Sequence, residues 1–155
     1  MTPSEEDFVH YVECIESLNR AWSILQDLGT VEKPSALHAA AFRFALIQYA
    51  RPYTRSDGTH RRRKLPAPQL SPDLVALHQQ ILDLRDQVLA HSDLTIKQAQ
   101  LHLHSYAGKP YYIISSNYAE ALPSREAVIT LIERTLDHMY VETDRHLQSL
   151  PTVAS

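Results

Sequence analysis

Residues 35 to 50 read Ser-Ala-Leu-His-Ala-Ala-Ala-Phe-Arg-Phe-Ala-Leu-Ile-Gln-Tyr-Ala, with only His38, Arg43 and Gln48 polar beyond the opening serine. At 3.6 residues per turn this segment is a helix apolar nearly all round, and such a helix is stable only with other elements on several sides. It predicts a bundle with this helix at its centre. The flanking pattern supplies the neighbours. Acids at Ser4-Glu5-Glu6-Asp7 form a capping-box pattern, after which Phe8, Val12, Ile15, Leu18, Trp22 and Leu25 recur at helical spacing until Gly29. Ser71-Pro72-Asp73 opens a third helix that runs to about His91. Pro123-Ser124 opens a last one, with Val128, Leu131, Ile132, Leu136, Met139 and Leu147 on its buried side. Between the third and last helices the period changes. Leu101 and Leu103 alternate with His102 and His104, and Ala107-Gly108-Lys109-Pro110 turns the chain into Tyr111-Tyr112-Ile113-Ile114, which reads as a β-hairpin within residues 98 to 118. The expected fold is mainly α: a four-helix bundle with a β-hairpin between the third and fourth helices, in a single domain over residues 1–155.

Composition narrows the function. Three glycines leave no room for a glycine-rich phosphate loop, and neither a P-loop lysine motif nor a dinucleotide fingerprint occurs. Cys14 is the single cysteine, which rules out an internal disulfide, a CxxC redox pair and a multi-cysteine zinc site, and fits a reducing cytoplasm. The acidic start is unlike a secretory signal, and no apolar run approaches the ~20 residues that cross a bilayer. A soluble cytoplasmic protein with no membrane association and no cofactor is expected. The formal net charge of -3 is unevenly spread. Residues 51 to 64 hold Arg51, Arg55, Arg61, Arg62, Arg63 and Lys64 against the one acid Asp57, a local +5 that leaves -8 to the rest. A basic cluster on an acidic body is the pattern of an anion site, and these six residues are the candidate RNA-binding set. From Arg51 to Gln69 the chain shows no apolar periodicity and contains Asp57-Gly58, Pro66 and Pro68, so it reads as a long loop, and replacing Arg61, Arg62 and Arg63 is expected to leave folding unaffected.

On the third helix Leu74, Leu77, Ile81, Leu84, Val88 and His91 form one stripe, and His78, Leu82, Arg85 and Leu89 an adjacent one. At ~100° per residue the two together span an arc of roughly 180°. That is wide for one seam, and a homodimer built partly on this helix is expected to cover it. Arg85 sits inside the arc, where a guanidinium needs a partner. The segment Leu84-Arg85-Asp86-Gln87-Val88-Leu89-Ala90-His91-Ser92-Asp93 resembles the signature of the HEPN superfamily, small helical proteins that include many prokaryotic ribonucleases. The signature is an arginine, usually followed by a polar residue, then a histidine after four to six residues. Arg85, Asp86 and His91 match it, with five residues between the arginine and the histidine.

The resemblance implies a HEPN-like bundle and metal-independent RNA cleavage at a site shared by two subunits, with Arg85, Asp86 and His91 as its catalytic set. His91 suits proton transfer near neutral pH, and Arg85 supplies a fixed cation for charge developing on the phosphate. Asp86 would orient one of them. Within one helix Arg85 and His91 differ by ~120° in direction and ~9 Å along the axis, so convergence calls for a second copy. The implied partners are RNA, a second copy and an antitoxin protein, the chain being the toxin of a toxin-antitoxin or defence system. The alternative is a non-catalytic HEPN-like dimer that binds a protein or nucleotide partner. Two histidine sets are weaker candidates. His102 and His104 share a strand face but have no third ligand, and read as a polar hairpin face. His138, Glu142 and His146 repeat every four residues on the last helix beside Arg134 and Arg145, and read as a solvated charged face. Tyr106, Tyr111, Tyr112 and Tyr118 suit either base stacking or a hairpin packed on helices.

Overall fold

The computed structural model describes residues 1–31, 35–89, 100–115, 121–148 and 150. Four α-helices, α1 (Pro3–Leu28), α2 (Ala36–Ala50), α3 (Pro72–Leu84) and α4 (Arg125–Gln148), build the body, and the strands β1 (Gln100–Tyr106) and β2 (Lys109–Ser115) lie between α3 and α4. A 3-10 turn, Arg51–Tyr53, follows α2, and a π-helical turn, Arg85–Leu89, follows α3. The mainly helical architecture with an inserted hairpin is as expected.

Each helix starts where local chemistry favours it. The α1 cap is Thr2, two residues ahead of Ser4: the Thr2 hydroxyl accepts from the Glu5 N–H and the Glu5 carboxylate accepts from the Thr2 N–H at 2.6 Å, with Pro3 at the first helical position. Ser35 accepts from the His38 N–H to cap α2, and Ser124 accepts from the Ala127 N–H to cap α4. Arg125 donates from Nη1 to the Leu25 carbonyl at 2.9 Å, placing a cation on the negative end of α1.

α1 is the spine, packed against both α2 and α4. Leu18, Leu25, Leu46, Tyr49, Ile81, Leu131 and Ile132 are fully buried, and each aliphatic one contributes about 1.5–3 kcal/mol on leaving water. α2 is not buried all round: Leu37 and Phe44 are exposed, and its buried residues run from Phe42 to Ala50. Trp22 also departs from the expected core stripe: it sits at the surface with its indole N–H on the Glu133 carboxylate at 2.9 Å. Within α3 itself both stripes turn into the bundle. His78, Ile81 and Leu84 are buried, and Leu74, Leu77 and Leu82 pack on the core. One chain therefore accommodates this part of the arc; the side chains of Val88, Leu89 and His91 lie outside the described residues.

The hairpin is built as its sequence suggests. Antiparallel pairing runs from Gln100↔Ser115 to Tyr106↔Lys109, and the turn residues Ala107 (φ 51°) and Gly108 (φ 75°) both take the left-handed conformation that a two-residue hairpin turn of matching twist requires. Every residue of both strands is exposed.

Candidate functional site

α3 ends as an α-helix at Leu84, one residue before Arg85. The Arg85 N–H is shared between the Ile81 and Leu82 carbonyls, and the backbone then widens into the π-helical turn Arg85–Leu89, which lies against α2. From Arg85 to Leu89 this wider turn replaces the expected α-helical continuation. Such turns change the direction in which successive side chains leave the axis and recur at functional sites. Arg85 is half-buried, and its Nη1 donates to Oδ1 of the exposed Asp86 at 2.5 Å. The partner that an arginine on this face needs is thus its own neighbour. A depression of about 510 Å³ flanks the turn, lined by Gln79, Gln80, Asp83 and Gln87 among others. His91, and the convergence of His91 with Arg85, lie outside the described residues.

The basic stretch is far more ordered by contacts than its composition suggests. Arg63 is buried at 7% exposure, with Nε on Asp7 Oδ1 at 2.7 Å and Nη1 on both Glu6 Oε1 and the Arg61 carbonyl at 2.9 Å. Glu6 in turn accepts the backbone N–H groups of Thr59 and His60, the latter at 3.1 Å. Ser56 and Arg63 exchange two backbone hydrogen bonds at 2.9 Å, closing the loop on itself, and the Leu65 N–H reaches the Pro52 carbonyl at 2.8 Å. Gly58 sits at the centre: a Cβ there would collide with Arg63, Glu6 and the Arg61 carbonyl. The expectation that this stretch is dispensable for folding is corrected for Arg63, whose guanidinium joins the loop to α1. Burial alone would raise the Glu6 carboxyl, but the Thr59 and His60 N–H groups and the Arg63 charge outweigh it and hold its pKa below the usual value. Asp7 is lowered by the same contest of burial against its bonds to Arg63 and Arg61.

Two further loop cations are paired, Arg61 with Asp7 at 2.6 Å and Arg62 with Asp57 at 2.9 Å. Arg51, Arg55 and Lys64 are exposed and make no ion pair among the described residues. The six candidates therefore fall into one buried tie, two paired surface arginines and three cations open to a ligand.

Sequence reasoning missed a cleft of about 650 Å³ between α1, the loop and α4, walled by His10, Tyr11, Tyr53, Lys64, His138 and His146 among others. His138, Glu142 and His146, at four-residue spacing, do share one face of α4, and that face lines the cleft. The His146 ring lies 4.4 Å from that of Tyr11, and the Tyr11 hydroxyl donates to the Met139 carbonyl at 3.1 Å, so α1 and α4 are joined at its floor. Burial pushes the Tyr11 hydroxyl up to about 12 and lowers His10, to which the Arg63 charge adds. Arg85 and Asp86 are not among its lining residues.

His102 and His104 do share a hairpin face. His102 Nε2 is 2.9 Å from Ser115 Oγ and the His104 ring stacks on Tyr111 at 5.2 Å. Among the described residues no group of three or more His, Cys, Asp or Glu is arranged to hold a metal ion, and no helix is long and apolar enough to cross a membrane. Comparison with protein-family models, curated proteins and solved structures finds no match to this chain.

Proposed function

We propose that the chain is a metal-independent endoribonuclease of the HEPN type, acting as a homodimer and serving as the toxin of a toxin-antitoxin or defence system held in check by an antitoxin protein. The observation that carries this reading is the Arg85–Asp86 pair on a π-helical turn, where a half-exposed guanidinium is held by a neighbouring carboxylate. In the reaction the 2'-oxygen of RNA attacks the adjacent phosphorus and the bond to the 5'-oxygen breaks. The 2'-OH proton goes to a base and a proton reaches the leaving 5'-oxygen, which leaves a 2',3'-cyclic phosphate and a 5'-OH. His91 is the general base and Arg85 the cation that meets charge on the phosphoryl oxygens. Arg51, Arg55 and Lys64 guide the strand, with Arg61 and Arg62 contributing where RNA phosphate displaces their carboxylate partners. The test is incubation of the pure protein with structured and single-stranded RNA in EDTA. Cleavage with cyclic phosphate ends is expected, reduced about 100-fold or more in Arg85→Ala and in His91→Ala. Full activity in both variants refutes the assignment.

A second reading, a non-catalytic module for a protein or nucleotide partner, is favoured by the cleft between α1 and α4. It is the larger and more deeply walled concavity and does not include Arg85. An inactive wild type that binds a ligand there supports this second reading.

A further inference from the structure

The hairpin has two faces of opposite chemistry. Directly paired residues point to the same side, so Leu101, Leu103 and Ser105 share one face with Pro110, Tyr112 and Ile114. This face carries no ionisable side chain apart from the phenol of Tyr112. The other face holds Gln100, His102, His104 and Tyr106 with Lys109, Tyr111, Ile113 and Ser115, so its apolar side chains are interrupted by a lysine and two histidines. A two-stranded hairpin alone is marginally stable in water, and an exposed apolar surface of this kind marks an interaction site.

We propose that the Leu101–Leu103–Tyr112–Ile114 face is a contact between two copies of this chain, packed face to face about a two-fold axis. Three features select a second copy. First, the area suffices. Leu101 is 63% exposed, Leu103 76%, Tyr112 68% and Ile114 62%. At about 200 Å² per side chain they offer on the order of 500 Å² per copy, hence about 1,000 Å² over both, where specific interfaces begin. Second, the face is self-compatible. It brings no cation or carboxylate against its own copy, whereas pairing the opposite face would set Lys109 and the two histidines against themselves. Third, edge pairing is the poorer alternative, since it leaves these same apolar side chains in water. β2 also resists strand addition: in a two-residue hairpin the Tyr106–Lys109 pair exchanges hydrogen bonds, so Pro110 falls at a position facing outward and removes a donor from that edge.

This contact goes beyond the ribonuclease reading and does not depend on it. It places the two-fold contact on the hairpin, independent of the α3 arc. The test is light scattering on the wild type and on Leu103→Asp and His104→Asp variants at about 10 µM, with circular dichroism to confirm that the helical body is intact. The wild type and His104→Asp are expected to be dimers. Leu103→Asp is expected to weaken association at least tenfold, because two carboxylates then meet near the axis. A monomeric wild type overturns the proposal, as does a Leu103→Asp dimer of undiminished strength or equal loss in both variants. A dimeric wild type whose association survives Leu103→Asp overturns this contact alone, whereas a monomeric wild type also removes the two-subunit geometry of the ribonuclease reading, and RNA cleavage in EDTA tests the catalytic assignment separately.

Discussion

Removing one oxygen from the core tests how α3 is held. Tyr49 on α2 is fully buried, and its hydroxyl shares a 2.8 Å hydrogen bond with Nδ1 of the buried His78 on α3, whose ring also meets Tyr53 edge-on at 4.6 Å. Tyr49→Phe keeps the ring and creates no cavity, so its cost is the lost bond plus an imidazole nitrogen left without a partner, together about 2 kcal/mol. With an unfolding entropy near 2.1 cal/mol/K per residue, a chain of this size loses about 6 °C in Tm. His78→Leu is costly for the converse reason. The double variant Tyr49→Phe/His78→Leu recovers part of the combined loss, because no buried polar group is then unmatched, and the cycle returns a coupling of about 1 kcal/mol. Thermal melts followed by circular dichroism at pH 8, where His78 is neutral, measure all four proteins. A Tyr49→Phe shift under about 1 °C, or strict additivity in the cycle, refutes the reasoning. Burial lowers the His78 pKa, so the site contributes fully above the unfolded imidazole value near 6.5 and loses its contribution as pH falls through the lowered folded value. Arg85 lies two turns beyond His78, so the same bond steadies the helix that presents it.

The loop yields four further predictions. Arg63→Met lowers Tm clearly more than Arg62→Met, because it leaves Glu6 and Asp7 without their shared guanidinium while Arg62 pairs only at the surface; equal shifts sink this. Gly58→Ala, by driving a methyl group into Arg63 and Glu6, accelerates proteolysis between residues 55 and 64 without melting the helices, and unchanged cleavage rates count against it. The lowered carboxyls of Glu6 and Asp7 stabilise the loop fully above the unfolded values near 4, and lose that contribution as pH falls through their folded values. Amide exchange at Thr59 and His60, slow at pH 6 relative to each group's intrinsic rate, should therefore lose protection in acid; constant protection excludes the carboxylate clasp. Replacing Arg51, Arg55 and Lys64 with Ala is expected to flatten the salt dependence of RNA binding more than replacing the paired Arg61 and Arg62, as read from binding isotherms over a salt series.

The helices were legible because each carries its own period and its own cap. Ser35, Ser71 and Ser124 open helices as their sequence contexts suggest, and Ile15, Leu18 and Leu25 of the first stripe are buried. Periodicity ranks positions by direction only, which is why Trp22 misled: its indole finds a hydrogen bond by turning outward to Glu133. The hairpin was legible from its alternation and its Ala-Gly turn. That both its faces would be exposed was not, since alternation reports that two faces differ and says nothing about what covers either.

The site residues divide along the same line. Arg85 with Asp86 was found by a local pattern, and a neighbouring pair is the one kind of contact that sequence order itself guarantees to be near. The tie of Arg63 to Glu6 and Asp7 joins positions 56 and 57 residues apart, and composition assigned that arginine to a solvated loop. The acids at the start of α1 had already been explained as helix-capping charge, an account that satisfies Glu5 and leaves Glu6 and Asp7 on the face turned to the loop. The misreading has a general cause: net charge over a window treats each cation as open to solvent, whereas a long arginine with an apolar stem and a forked head is the cation best able to be buried against two carboxylates. For this chain that moves the open positive charge from the Arg61-Arg62-Arg63 run to Arg51, Arg55 and Lys64, and the proposed guidance of RNA on this surface rests first on those three.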